Sequence, residues 1–164
     1  MPPPNPLILR PARPADAAAL AAILYDTFEN TWAAQVTPAA ARAFRDEDRP
    51  GAYVAARGLE FWVAERAGEV VGFVDWEGDF VNALHVRAAH ARTGVGARLM
   101  DHVEAAIAAA GHAAARLETD TFNAGSRALY TARGYREMDR YPDLEWDSGV
   151  VTLLLVKPLD QHEP

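Results

Sequence analysis

The sequence predicts a mixed α/β fold (α+β mixed sheet), in which helices cover the faces of one sheet. Three observations predict it. Short apolar runs alternate with helical patterns, 164 residues suit a single core, and the composition is 50% hydrophobic and 24% charged, as in globular domains. The predicted order is roughly β-α-α-β-β-β-α-β-α-β-β over residues 7–159. Residues 1–6 and 160–164 are expected to be tails, the first of them Pro-rich and disordered.

The first part of the chain is predicted to contain a strand, two helices and a hairpin. Residues 7–10 form a short apolar run typical of a strand, and residues 14–28 carry apolar side chains at helical spacing. A second helix over residues 38–48 begins with Thr37 followed by Pro38, the order in which a cap precedes the first helical turn. The stretches 61–65 and 70–76 are rich in aromatic and β-branched residues and flank a tight turn, which predicts a hairpin.

The second part continues with a strand and the most regular helix of the sequence. Residues 80–86 predict a strand, and residues 94–110 predict a helix because apolar residues recur every four positions. Gly111 follows, where a glycine commonly ends a helix. The remaining predicted elements are a strand at 115–119, a short helix at 125–132 and strands at 135–139 and 150–156.

Charge and composition exclude several classes of function. The formal net charge is −7, which disfavours nucleic acid as a partner and favours cationic substrates. No apolar stretch approaches the roughly 20 residues of a membrane helix, so no membrane partner is expected. Cysteine is absent and the histidines show no zinc-type spacing, so no metal is expected. The first residues lack the pattern of a secretory signal, which makes the cytoplasm the expected location.

The segment from 86 to 100 is the most informative part of the sequence. A strand ends there, a loop of small residues with Arg92 follows, and a long helix begins at Gly94-Val95-Gly96. Glycines let a ligand approach the backbone, and the first turn of a helix offers unpaired N–H groups at the positive end of its dipole. The segment therefore predicts an anion site. The alternative is that the glycines only let the helix pack closely on the sheet.

Two common phosphate-binding loops do not match this segment. A nucleotide P-loop ends in Gly-Lys-Ser/Thr, whereas Gly96 is followed by Ala97-Arg98. The dinucleotide fingerprint needs a third glycine, and Leu99 occupies that position.

A second block strengthens the first, and the two together resemble the GNAT superfamily of N-acetyltransferases. Its signature Gln/Arg-x-x-Gly-x-Gly/Ala is matched at Gly94 and Gly96, while Ala91 stands at the leading position. The second block resembles the family pattern N-x-x-A-x-x-L-Y-x-x-x-G-F/Y. Its residues are Asn123, Ser126 in place of the usual Ala, Leu129, Tyr130, Gly134 and Tyr135. The likeness extends over residues 7–159.

The resemblance implies acetyl-CoA as co-substrate and a V-shaped opening between the fourth and fifth strands. The pantetheine arm would lie in this opening along the backbone of the fourth strand, as an added strand would, and Asn123 would bond to it. The residues implied for the pantetheine are Leu84, His85 and Val86 with Asn123 and Tyr130, and those for the diphosphate are Arg92, Thr93, Gly94, Val95, Gly96 and Ala97.

The reaction needs a neutral amine and a proton for the departing thiolate. Tyr130 matches the family position that protonates the thiolate, and the alternative is that it only packs the short helix on the sheet. Strict alternation along the fourth strand would place Phe80, Asn82, Leu84 and Val86 on one face, and none of these is a base. Asn82 is the residue expected to position a water molecule or the amine. His85 is expected to point to the opposite face.

The general base is left open. Candidates are His85, Asp79, Glu77, Asp75 and Glu29, and the preferred route is a water chain to an unidentified carboxylate. The acceptor pocket has two groups of candidates. They are the aromatic residues Tyr25, Phe28, Trp32, Trp76, Tyr141 and Trp146, and the acidic residues Asp26, Glu29, Asp143, Glu145 and Asp147.

The sequence thus predicts an N-acetyltransferase that acts on a primary amine, in a small molecule or a peptide and of cationic character. Without cysteine, an acetyl-thioenzyme is excluded, so the amine is expected to attack directly in a ternary complex. The alternatives are a non-catalytic acyl-CoA sensor and an interaction domain whose glycines only serve packing. The oligomeric state is open, although a homodimer through the last strands would be ordinary for such proteins.

Overall fold

The computed structural model describes residues 5–160. The strands are β1 (Leu7–Pro11), β2 (Trp62–Arg66), β3 (Glu69–Glu77), β4 (Phe80–Val86), β5 (Ala114–Asp120), β6 (Arg136–Pro142) and β7 (Val151–Pro158). The α-helices are α1 (Ala17–Thr27), α2 (Pro38–Asp46), α3 (Arg49–Arg57), α4 (Val95–Ala109) and α5 (Ala124–Ala132). Most of the two tails expected at 1–6 and 160–164 lies outside the described residues.

The strands form one sheet in the order β1-β2-β3-β4-β5-β7-β6. All neighbouring strands are antiparallel except β4 and β5, which run parallel. The predicted mixed sheet is confirmed, and the hairpin predicted at 61–76 is formed by β2 and β3. Within residues 5–160, no helix is long and apolar enough to cross a membrane.

The parallel pair β4 and β5 is joined only at its beginning. Phe80 pairs with Arg116 and Val81 with Leu117, and no later residue of β4 has a partner on β5. Over its whole length, β5 instead pairs with β7 on its other side. The two strands therefore diverge toward their carboxyl ends, and a gap opens in the middle of the sheet.

Two apolar layers cover the two faces of the sheet. On one face, α4 and α5 pack on the strands through Val95, Leu99, Val103, Ile107 and Tyr130. On the other face, α1 and α3 pack through Leu20, Ile23 and Val54 against Phe61 and Phe73. These faces are called the α4 side and the α1 side below. The gap between β4 and β5 connects them.

The approach of α4 to the sheet depends on a glycine in β3. A Cβ on Gly72 would lie 2.9 Å from the carbonyl oxygen of His85 and 3.0 Å from Cγ1 of Val95. The absence of a side chain at Gly72 therefore lets the first turn of α4 lie close to β3 and β4.

A buried carboxylate connects α4 to the C-terminal part of the chain. Glu104 on α4 is 8% exposed and accepts hydrogen bonds from Nε of Arg133 at 3.0 Å and from the hydroxyl of Tyr135 at 3.2 Å. The ammonium of Lys157 on β7 lies 2.5 Å from its other oxygen. This network holds the helix of the first sequence block against the segment of the second block.

The structure contains a helix that the sequence did not predict. The helix predicted over residues 38–48 ends at Asp46, and α3 follows, although Pro50 and Gly51 near its start look like a break. Proline is tolerated in the first turn of a helix, where its missing N–H has no partner to lose. The side chain of Asp48 also caps α3 by accepting a bond from the amide of Gly51 at 3.3 Å.

The predicted first helix differs at both ends. A 3₁₀ turn at Pro14–Asp16 precedes α1, and a π-helix at Phe28–Trp32 follows it. A π-helix is rare and often occurs at functional sites. Here it places the ring of Trp32 between His85 of β4 and Asp120 of β5.

The strict alternation expected along β4 is wrong because the strand contains a bulge. Asp75 pairs with Ala83 and Trp76 with Val81, so Asn82 has no partner on β3. The extra residue shifts the alternation, and Val81 now shares the α4 side with Leu84 and Val86. Asn82 turns instead toward Asp75, whose side chain is bound by α3.

We expect Gly72→Ala to destabilise the protein by about 1–3 kcal/mol, because the new methyl group meets backbone and core atoms that cannot move away. Urea unfolding measures this change. Gly125→Ala is the matched control. Its Cβ meets nothing closer than 3.9 Å, and in helix α5 the substitution is expected to be neutral or stabilising by about 0.4–1 kcal/mol. Equal stability of Gly72→Ala and wild type would contradict the role given to Gly72.

Candidate active site

The loop between β4 and α4 is shaped by two left-handed residues. Arg92 has a φ of 60° and Gly94 a φ of 88°, and Gly94 is the residue that precedes the helix. Between them, the hydroxyl of Thr93 donates to the carbonyl of His90 at 2.6 Å. Left-handed positions of this kind turn successive amide groups into a concave surface that suits an anion.

The amides of this loop remain open. Within residues 5–160, no backbone or side-chain group accepts a hydrogen bond from the amides of residues 92–97, and Gly94 has no side-chain cap. Six consecutive N–H groups thus lie at the positive end of the dipole of α4. Open N–H groups in this position are the groups with which the start of a helix binds an anion.

Three guanidinium groups surround the loop without forming a salt bridge to any described residue. Arg92 and Arg98 are exposed beside the open amides. Arg66 reaches the loop from the end of β2, and its Nη1 donates to the hydroxyl of Thr93 at 3.1 Å. The Nε of Arg66 is buried and has no hydrogen-bond partner in the described chain. Uncompensated cations at this point reinforce its preference for an anion.

Arg66 is a residue that the sequence did not single out. Ala91 stands where the family signature has a polar side chain, and Arg92 follows one position later. The structure brings a guanidinium to the loop from a strand that ends more than twenty residues earlier. No local spacing in the sequence indicates this contact.

The backbone of β4 presents open groups to the gap. The amide of Arg87 donates to the carbonyl of Val71 at 2.8 Å, so the backbone of this residue faces β3. By alternation, the N–H and C=O groups of Leu84 and Val86 face away from β3, toward the gap. The resemblance also implies His85 for the pantetheine arm. The carbonyl of His85, however, faces Gly72 of β3 and not the gap.

The α4 side of the gap lies between α4 and α5. A Cβ on Gly96 would point toward Leu129 of α5 at 3.5 Å and toward Leu84 and Val86 of β4 at 3.9 Å. Leu84, Val86 and Gly96, which the resemblance implies for the coenzyme, and Leu129 of the second sequence block therefore face one another between β4, α4 and α5. This apolar lining is called the channel below, and the open amides lie at the same end of α4.

The second sequence block lies beside this channel. The carbonyl oxygen of the Asn123 side chain caps α5 by accepting a bond from the amide of Ser126 at 3.2 Å, which leaves its NH₂ group as the part that can reach a ligand. Tyr130 is 6% exposed and packs edge-to-face on Tyr135 with 5.5 Å between ring centroids. Burial raises the pKa of Tyr130, so the phenol keeps its proton at neutral pH.

His85 points to the α1 side, as expected from the sequence. Its Nδ1 lies 2.8 Å from the hydroxyl of Thr27, and its ring stacks on Phe73 with 5.4 Å between centroids. Burial lowers the pKa of His85 to about 4, so the ring is neutral at pH 7. These contacts are those of a packed histidine.

Asn82 and the nearby acids form a separate network at the closed end of the gap. Its NH₂ group donates to Asp75 and Glu77, both at 3.2 Å. Asp75 is fully buried and is held by Arg57 and Tyr53, and Asp79 is paired with Arg116 at 2.9 Å. These acids, which were candidates for the general base, are therefore bound by cations or by a phenol.

The aromatic candidates for the acceptor pocket separate into different places. Trp32 lies at the gap, whereas Phe28 stacks on Phe44 at 3.8 Å and Tyr25 donates to Asp48. Trp76 lies against His102 on the α4 side. Trp146 covers the guanidinium of Arg49 at 3.6 Å.

The structure identifies a carboxylate at the gap that the sequence did not suggest. Asp120 is the last residue of β5 and lies beyond the last pair with β4. Its Oδ2 accepts a bond from Nε1 of Trp32 at 2.8 Å, and its Oδ1 accepts one from the hydroxyl of Thr152 at 3.3 Å. Within the sequence, Asp120 and Trp32 are 88 positions apart, so only the fold brings them together.

Comparison with protein families finds a matching family model. The family model "Acetyltransferase (GNAT) family" matches residues 18–135, which include the open loop, the gap and Tyr130. The chain belongs to the GNAT family of acetyltransferases. The resemblance seen in the two sequence blocks is therefore confirmed.

Individual relatives support the family and the fold. An "IAA acetyltransferase" of Azospirillum brasilense is 34% identical over 107 residues, which cover 62% of this chain and 69% of the relative. A GCN5-related N-acetyltransferase from Rhodopseudomonas palustris has the same fold, with a TM-score of 0.79, 23% identity and coverage of 97% and 99% of the two chains. The PaiA N-acetyltransferase of Thermoplasma acidophilum, solved in complex with coenzyme A, has a TM-score of 0.72 at 14% identity, with coverage of 93% and 99%.

The described part of the chain offers no group of three or more His, Cys, Asp or Glu residues that could hold a metal ion.

We expect Gly96→Ala to weaken coenzyme A binding by about tenfold, equivalent to about 1.4 kcal/mol, because the methyl group enters the channel between α4 and α5. The fold itself accepts this methyl group, since its nearest neighbour lies at an ordinary contact distance of 3.5 Å. Isothermal titration with coenzyme A measures the affinity, and the melting temperature without ligand serves as the control for folding. An unchanged affinity would show that the channel is not the binding path.

Proposed function

We propose that this protein transfers the acetyl group of acetyl-CoA to a primary amine, by direct attack within a ternary complex. The observation that carries the proposal is the run of six open amides at 92–97, which lies at the mouth of a channel that leads into the gap between β4 and β5. An anionic diphosphate fits these amides, and an extended pantetheine arm fits the open backbone edge of Leu84 and Val86.

The residues present fit the co-substrate in charge and in shape. Arg92, Arg98 and Arg66 supply positive charge at the diphosphate end, and the apolar channel beyond Gly96 accepts the pantetheine. The side-chain NH₂ group of Asn123 lies beside this path and donates to the arm in the proposal. The sulfur then lies where the strands diverge, near Tyr130.

Tyr130 acts as the general acid in this proposal. As the amine nitrogen bonds to the carbonyl carbon and the C–S bond breaks, the sulfur takes the phenolic proton. The raised pKa of Tyr130 keeps that proton in place until the thiolate, which is a stronger base than water, forms beside it. No cysteine is present that could carry the acetyl group, which supports direct attack over a two-step route.

The acceptor enters from the α1 side, and the charges there favour a cation. Asp143 and Glu145 in the loop between β6 and β7 lie close enough to act on the pKa of Glu118, and Asp143 also acts on that of Asp120. Neither loop residue forms a salt bridge within the described residues. An alkylammonium is therefore attracted to this mouth, whereas a carboxylate substrate is repelled.

We expect release of free coenzyme A when the protein is mixed with acetyl-CoA and a primary amine. The panel of amines to be tested consists of 1,4-diaminobutane, tyramine and a peptide that begins with alanine. A thiol reagent measures the free coenzyme A that is released. Binding of acetyl-CoA should also raise the melting temperature by mass action, while acetate and ATP should not. A melting shift without turnover on any amine would indicate an acyl-CoA sensor instead of an enzyme.

We expect Tyr130→Phe to lower kcat by about 100-fold or more, because the thiolate then leaves without a proton donor. The melting shift with acetyl-CoA should persist, since the ring and its packing remain. Tyr25→Phe is the matched control and should change kcat by less than about threefold, because its hydroxyl bonds to Asp48 away from the gap. Equal kcat values for Tyr130→Phe and wild type would contradict the acid role.

A further inference from the structure

Asp120 holds a position that the proposed reaction can use. It lies three residues beyond Leu117, the last residue of β5 that pairs with β4. Because Ala115 and Leu117 point into the core of the α4 side, alternation directs Asp120 to the α1 side, where the acceptor enters. The carboxylate therefore lies on the wall of the gap, on the side opposite the coenzyme channel.

Two neutral donors hold this carboxylate in one orientation. Nε1 of Trp32 binds Oδ2 at 2.8 Å, and the hydroxyl of Thr152 binds Oδ1 at 3.3 Å. Each carboxylate oxygen can accept two hydrogen bonds, so each keeps one position for another donor. Within residues 5–160 no arginine, lysine or histidine forms a salt bridge with Asp120, which distinguishes it from Asp75 and Asp79.

Trp32 spans the gap on this side. Its ring centroid lies 5.8 Å from that of His85 on β4 and 6.4 Å from that of Phe122 just beyond β5, while its Nε1 binds Asp120. The indole thus covers the mouth of the gap from one diverging strand to the other. Asp120 is half-buried at the edge of this ring, where Nε1 bonds to it.

The surroundings of Asp120 make it a stronger base than an exposed carboxylate. Burial raises the pKa of Asp120, and the charge of Asp143 raises it further, while the bonds from Trp32 and Thr152 lower it. Glu118 on the same strand interacts with Asp120 electrostatically, and Glu145 of the β6–β7 loop acts on Glu118. His85 contacts the ring of Trp32 and is neutral at pH 7, and Glu29 on the π-helix is paired with Arg45. Arg127 of α5 donates to the carbonyl of Thr121, the residue after Asp120, at 3.0 Å and forms no salt bridge with Asp120.

We propose that Asp120 is the proton acceptor of the transfer and that Trp32 is the residue that positions it; this inference rests on the proposed function. The acceptor ammonium donates a hydrogen bond to Asp120 and releases its first proton through this carboxylate to solvent. The neutral nitrogen then bonds to the carbonyl carbon and gives a second proton to Asp120. The C–S bond breaks, the sulfur takes the proton of Tyr130, and exchange with solvent restores both residues.

The test compares pH profiles of kcat for wild type, Asp120→Asn and Glu137→Gln, with acetyl-CoA and the best amine of the panel. Asp120→Asn should lower kcat by about 100-fold or more and remove the acidic limb of the profile. It should keep the melting shift with acetyl-CoA, which shows that the variant folds and binds. Glu137→Gln removes an exposed carboxylate of the edge strand β6, which is paired with Arg140, and should cost less than about threefold.

Trp32→Phe tests whether Trp32 acts on the pKa of Asp120 or only supports the fold. A residue that only supports the fold would leave the pH profile of kcat in place. The variant keeps an aromatic ring over the gap but removes the bond to Asp120, so the pKa of the carboxylate rises. The acidic limb of kcat should then move to higher pH by roughly half a unit to one unit.

The outcomes separate this inference from the proposed function. If wild type turns over but Asp120→Asn keeps its acidic limb, or if Glu137→Gln loses more activity than Asp120→Asn, Asp120 is not the proton acceptor and the proposed acetyl transfer still stands. If wild type binds acetyl-CoA without turnover on any amine, the proposed function and this inference are both contradicted. An unmoved limb in Trp32→Phe would overturn the positioning role.

Discussion

The divergence of β4 from β5 is the constraint on which the rest of the structure depends. Backbone groups inside a sheet normally find partners on both sides, and an unpaired group that is buried costs free energy. After Val81 and Leu117 the two strands give up this pairing, and the edge of β4 stays open in the middle of the sheet. The arrangement persists because other contacts fix both strands. β4 is held by β3 and by the close approach of α4 at Gly72, and β5 is held by β7 along its whole length.

The two faces of the gap carry opposite charges, although the whole chain is acidic. On the α4 side, open amides and unpaired guanidinium groups collect at one end of the channel. On the α1 side, Asp120, Glu118, Asp143 and Glu145 form no salt bridge among the described residues. This separation suits the two proposed substrates, since an anionic coenzyme and a cationic amine would be drawn to different mouths of one gap. The net charge of the whole chain indicates only the preference for a cationic amine.

The sequence was sufficient for features that are local. The hairpin, the regular helix α4 and the glycine loop each depend on neighbouring residues, and all were predicted close to their observed positions. Features that depend on distant contacts were missed. The bulge at Asn82 reflects pairing with β3, α3 starts at a proline that looks like a break, and Trp32 is placed by a π-helix. Asp120 and Arg66 belong to the site only because the fold brings strands from different parts of the chain to one loop or one gap.

The central claim is that the amides of residues 92–97 bind a diphosphate. Amide hydrogen exchange, followed by NMR at saturating coenzyme A and separately at saturating pantetheine, tests it most directly. Because pantetheine lacks the diphosphate, we expect coenzyme A alone to slow exchange at several amides of this loop, while both ligands slow exchange at Leu84 and Val86. Unchanged exchange at residues 92–97 in the presence of bound coenzyme A would contradict the claim.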